Sequence, residues 1–160
     1  MVVTFAARRA IDRGVPLGFL ENLLVDRFAN QHRQAVGTII AASREPVRLD
    51  DLRAEYEKLG PELRGGGPDD SWWESLQRQM HSIVEIRRAS TPSTRPNARY
   101  ERAADRLASG DVDAALAETM RMPGAARAQG WTAKARRYII AHRALDEIES
   151  AALLVGAAAR

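Results

Sequence analysis

The sequence predicts an all-α fold. Apolar residues recur at three- and four-residue spacing along most of the chain, and Ala, Leu and Arg abound while aromatics make up 6%, a mixture that favours helix. No pair of alternating segments flanks a hairpin turn. The 160 residues suit one domain, or one domain with an appended arm.

The elements follow in order. Residues 2–13, VVTFAARRAIDR, form a first helix with a weak stripe of Val2, Ala6 and Ala10, stopped by Gly14 and Pro16. A stronger helix is expected over 16–30, with Pro16 in its first turn and Leu17, Leu20, Leu23, Leu24 and Phe28 at helical spacing. Val36, Ile39 and Ile40 give a short third helix ending near Ser43, before Pro46. Asp50 is an N-cap candidate for a helix carrying Leu52, Tyr56 and Leu59, which Gly60-Pro61 ends. Gly65-Gly66-Gly67-Pro68 reads as a hinge.

Asp70 or Ser71 caps a segment with Trp72, Trp73, Leu76, Met80, Ile83 and Val84, in which 83–88 reads as helix or extended coil. A second linker, ASTPSTRP, covers 89–96. Helices are then expected over 97–109, stopped by Gly110, and over 112–122, capped by Asp111. Residues 125–155 read as one long helix or two, with Gly130-Trp131 at the kink. These breaks divide the chain into a helical arm over 1–60, a linker over 61–70 and a helical bundle over 71–160.

Little points to catalysis. With no cysteine, disulfides, thiolate metal sites and cysteine nucleophiles are excluded. His32, His81 and His142 stand at no ligand spacing from one another. No metal, cofactor or catalytic residue is therefore assigned. The triple glycine lacks the Lys-Ser/Thr of a phosphate loop, and Asp69-Asp70 would repel phosphate. Asp50/Asp51, Glu55/Glu57 and Asp69/Asp70 fit helix caps and solvated faces.

Binding has more to offer. RAADRLASGDVDAALAETM (102–120) resembles half of a tetratricopeptide-type hairpin; a single unit makes a plain αα-hairpin the preferred reading. Trp72-Trp73 point about 100° apart on a helix, one to a core and one to a boundary or partner. Residues 119–145 hold Arg121, Arg127, Lys134, Arg136, Arg137 and Arg143 with no Asp or Glu, which suits either a solvated face or contact with phosphates. Aromatics do not interleave with these cations, so nucleic acid is not expected. The first two helices could lie on an anionic membrane, with Arg8, Arg9, Arg13 and Arg27 meeting lipid phosphates and Phe5, Leu17, Leu20 and Leu24 giving apolar contact.

Taken together, RAIDRGVP (9–16), VRLDDLRAEYEKL (47–59), WWESLQRQMHSIVEIRR (72–88), AADRLASGDVDAALA (103–117) and PGAAR (123–127) resemble, in order and spacing, the C-terminal domain of alphaproteobacterial mitofilins. The resemblance implies a non-enzymatic, membrane-organising domain on the periplasmic side of the inner membrane, here without its transmembrane anchor and coiled coil. It further implies membrane shaping at crista-junction-like contact sites, lipid contact by the first helices, self-association as a dimer, and partner proteins. Trp72, Trp73, Leu76, Met80, Arg87 and Arg88 are the residues expected at a partner or self-association surface. The competing expectation is a helical protein-interaction module without membrane contact.

Overall fold

A computed structural model describes residues 2–65 and 95–158. Every element in it is helical: α1 (Val2–Arg13), α2 (Leu20–Arg44), α3 (Leu49–Lys58), α4 (Gly60–Leu63), α5 (Pro96–Ala108), α6 (Val112–Thr119), a 3₁₀ turn (Ala125–Ala128) and α7 (Gln129–Ala158). The protein is all-α, as the periodicity predicts. The segment with Trp72, Trp73, Leu76, Met80, Arg87 and Arg88 lies outside the described residues.

The chain forms two compact units. One combines residues 1–52 with 133–160, and the other comprises 53–132. This grouping differs from the expected arm over 1–60 and bundle over 71–160. The apolar face of α1 and α2 needs a cover, and the second half of α7 supplies it. Val3, Ala7, Ile11, Leu17, Leu24, Val36 and Ile39 share a core with Ala144, Leu145 and Ile148.

Local chemistry explains the elements of this first unit. α1 ends in a Schellman turn: Val15 N–H donates to Ala10 O and Gly14 N–H to Ile11 O, both at 2.9 Å, with Gly14 at φ 68°. Only glycine takes that conformation without strain. The buried stripe of α1 is Val3, Thr4, Ala7, Ala10 and Ile11; of the expected Val2, Ala6 and Ala10, only Ala10 belongs to it. Pro16 does not open a helix, because Leu17 must turn into the core and Gly18, at φ 56°, holds the chain out of helical geometry. The two helices expected over 16–30 and 36–43 are one element, α2, interrupted at His32 (φ −127°, ψ 42°).

The second unit is built around aromatic rings. Tyr56 stacks on Tyr100 at 5.1 Å and tilts against Trp131 at 4.9 Å, while the Arg64 guanidinium covers Tyr100 at 4.8 Å. Thr119 Oγ1 is hydrogen-bonded to the Tyr56 hydroxyl at 3.3 Å and donates to Ala115 O at 2.7 Å. α5 and α6 form a helical hairpin through a second Schellman turn at Gly110 (φ 83°). There Asp111 N–H donates to Arg106 O and Gly110 N–H to Leu107 O. Asp111 then caps α6 by accepting from Ala114 N–H at 3.1 Å, as expected. Arg53 donates to the terminal carbonyls of Leu107 and Ala108. Arg102 and Arg99 both reach Glu118 at 3.2 Å, and their hydrogen bonds hold its carboxyl below the usual range.

Two expected boundaries move in this unit, and the long last helix proves to be one element rather than two. Gly60-Pro61 begins α4 rather than a linker, since proline is tolerated at the start of a helix, and Leu63 is fully buried. α6 ends at Thr119 so that Met122 can fold inward. α7 continues through Gly130 and Trp131 as one helix from Gln129. Gly124 has ordinary negative φ (−86°), but a Cβ there would lie 1.9 Å from Glu62 O.

Two outcomes are expected. Gly124→Ala should cost about 3 kcal/mol or more by forcing two backbones apart, measured by urea unfolding; a cost below about 0.5 kcal/mol would refute the close approach. Burial pushes the Tyr56 hydroxyl up to about 12, so the neutral phenol is the form the fold favours. This contribution is present below the ordinary tyrosine value of 10.0 and is lost as pH rises from there through about 12. It is on the order of 2 kcal/mol, and Tyr56→Phe should lessen the alkaline loss of thermal stability.

Candidate lipid-facing surface

α1 shows water a stripe different from the one it buries. Val2, Phe5, Arg9, Asp12 and Arg13 are exposed at intervals that keep them on one side of the helix. Val2 is 83% and Phe5 58% exposed. The turn into α2 adds Val15 and Phe19, at 45% and 76%, while Leu17 between them is buried. The outward surface thus begins apolar, passes through Arg9, Asp12 and Arg13, and becomes apolar again at the turn.

The structure divides the residues expected to meet lipid. Phe5, Arg9, Arg13 and Arg27 are exposed. Leu17 and Leu24 are core residues at 2% and 0% exposure, and Leu20 packs partly buried against that core. As α7 already covers them, Leu17 and Leu24 offer no surface to a membrane in this fold.

Arg8 is corrected as well. Its Nε and Nη2 engage Glu149 at 2.7 and 2.9 Å, and Nη2 also contacts Asp146. Hydrogen bonding to Glu149 above all raises its pKa above the usual arginine range. Further contacts tie the same faces together: His142 Nε2 lies 2.9 Å from Asp12 Oδ1, His32 Nδ1 2.7 Å from Glu147 Oε1, and Arg137 Nη1 2.6 Å from Glu45 Oε2. Arg8 therefore belongs to the seam between α1 and α7, and its charge is matched there.

Val2, Val15 and Phe19 were not legible as surface residues. The one signal for Phe19 is its place in Gly14-Val-Pro-Leu-Gly-Phe19, where glycines on both sides of the apolar residues mark a turn rather than a helical stripe. Among the described residues no group of three or more His, Asp and Glu side chains is placed to hold a metal ion. No helix among them is long and apolar enough to cross a membrane. Comparison with known protein families, with curated proteins and with solved structures gives no match to this chain.

The division among the arginines is measurable. Arg8→Ala leaves Glu149 and Asp146 without their cation and should cost about 1–2 kcal/mol in urea unfolding. Arg9→Ala and Arg13→Ala should each stay within about 0.5 kcal/mol of the parent. Equal costs at the three positions would contradict the assignment.

Proposed function

We propose that this chain is a non-enzymatic membrane-organising module, of the mitofilin-like kind its motifs resemble, acting on the periplasmic side of a bacterial inner membrane. The observation that carries this reading is the outward stripe of α1 and its turn, where exposed Val2, Phe5, Val15 and Phe19 flank Arg9 and Arg13. Aromatic and aliphatic side chains beside arginine suit the boundary between headgroups and acyl chains. The hairpin would lie on the surface with its core intact. Arg9 and Arg13 would meet phosphates while Phe19 enters the acyl boundary. Self-association into a dimer and binding of partner proteins at contact sites belong to the same proposal.

The competing reading is a tetratricopeptide-like interaction module, favoured by the α5–α6 hairpin and its tight turn at Gly110. It needs no lipid contact, so one experiment separates the two.

That experiment is co-sedimentation with anionic vesicles at low and high salt, with neutral vesicles as control. Salt-sensitive binding to the anionic vesicles is expected. Each arginine near such a surface contributes about 1 kcal/mol, so reversing Arg9 and Arg13 together should weaken binding at least about tenfold. Phe19→Ser should weaken it under all salt conditions. Absence of binding to anionic vesicles would overturn the membrane reading and leave the interaction module.

A further inference from the structure

α2 is one element by its residues and two arms by its shape. Its first arm (20–31) and second arm (33–44) meet at His32, where the backbone leaves helical geometry (φ −127°, ψ 42°). The arms fold back on one another. Glu21 and Arg44, at the two ends of the helix, have side chains 3.9 Å apart, whereas a straight helix would hold their Cα atoms roughly 35 Å apart. Val25 and Ala29 of the first arm line one groove with Val36, Gly37 and Ile40 of the second. Both arms serve the same core, through Leu24 on one and Ala35, Val36 and Ile39 on the other.

Nothing in the local sequence demands this bend. Residues 29–35 read Ala-Asn-Gln-His-Arg-Gln-Ala, with neither glycine nor proline, the residues that most often break or kink a helix. The hinge is one residue long, so no loop separates the arms. A break in a helix leaves backbone N–H and C=O groups without their i−4 partners, and straightening restores those bonds. What holds the bend is tertiary: the shared core, and His32 Nδ1 at 2.7 Å from Glu147 Oε1 on α7.

We propose that the partner of this unit is a second copy of the chain, and that two copies exchange α1 and the first arm of α2 by straightening at His32. In the exchanged dimer these segments of each chain lie on the second arm and α7 of the other. Contacts away from the hinge are kept but run between chains: Arg8 with Glu149, Asp12 with His142, Glu21 with Arg44, and the core around Leu24 and Ile39. The two straight α2 helices run antiparallel about a two-fold axis beside His32, which makes the interface isologous. The two states differ at the hinge alone. A hinge this short, with neighbours that suit a continuous helix, invites exchange. Burial that one chain achieves alone thus becomes available to a dimer without any new surface. The proposal rests on the self-association within the reading above and gives it a mechanism; it needs no lipid.

Cross-linking of the full chain tests this, since it has no cysteine of its own. Glu21→Cys and Arg44→Cys are made in separate chains, which are unfolded, mixed, refolded and treated with a short bis-maleimide. A covalent dimer holding one chain of each kind is expected on a denaturing gel, and neither chain alone should give one. Light scattering should show twice the monomer mass in a fraction that grows with concentration. Two hinge variants set the direction. His32→Ala and His32→Gly both remove the contact with Glu147, but alanine favours a straight helix and glycine opposes it. The dimer of His32→Ala should have a dissociation constant about thirtyfold lower than that of His32→Gly, a propensity difference counted once per chain. Far-ultraviolet circular dichroism reports that both variants fold. A His32→Ala chain that stays monomeric at every concentration, or equal constants for the two variants, would overturn the proposal. So would a dimer by light scattering whose mixed Cys chains do not cross-link; that result removes the exchange and leaves self-association standing.

Discussion

The apolar seam between the last helix and the first two is the constraint on which the first unit depends. Leu145 and Ile148 are almost fully buried, as are Ile11, Leu24 and Ile39, which lie far from them in sequence. Each such side chain contributes roughly 1.5–3 kcal/mol on burial, against about 0–1 kcal/mol for an exposed ion pair. Apolar burial therefore decides that α7 packs here, and the charges decide how it lies. Arg8 against Glu149 and Asp146, Asp12 against His142, His32 against Glu147 and Glu45 against Arg137 are all satisfied in one register. Sliding α7 by one turn would misalign them all.

That seam also sets what the unit can present to others. By taking up Leu17 and Leu24, it removes the strongest apolar stripe from the surface. What α1 and its turn leave outward is a smaller set that the core has no use for: Val2, Phe5, Val15 and Phe19.

Features set by neighbours in sequence were legible, and those set by distant contacts were not. The stops at Gly14 and Gly110 and the cap at Asp111 need only a few adjacent residues, and each could be read directly. The buried side of α1 could not, because Val2 and Val3 are equivalent until a partner helix selects one. The run of α2 through His32 is similar: a helix was expected on each side, and packing against α7 joins them across a distorted residue. Pro123-Gly124 was legible as a break. Its steric reason, the Glu62 backbone close by, comes from a segment about sixty positions earlier and leaves no trace in the local pattern. Arg8 shows the same limit for the candidate site, since beside Arg9 nothing in the sequence says which of the two meets Glu149.

The arginines carry this argument furthest. The chain has 24 Lys and Arg residues and a formal charge of +3, which invites a reading in which basic clusters await phosphates. Much of that charge is employed inside the fold. Arg8 is matched by Glu149, Arg99 and Arg102 by Glu118, and Arg137 by Glu45. Arg53 donates to helix-terminal carbonyls and Arg64 covers an aromatic ring. A guanidinium suits all these tasks because its planar fork meets carboxylates and carbonyls and its face meets rings. Count and clustering of basic residues thus overstate what can meet an anionic surface. Exposure beside an apolar neighbour is the sharper criterion, and in α1 it selects Arg9 and Arg13 and sets Arg8 aside.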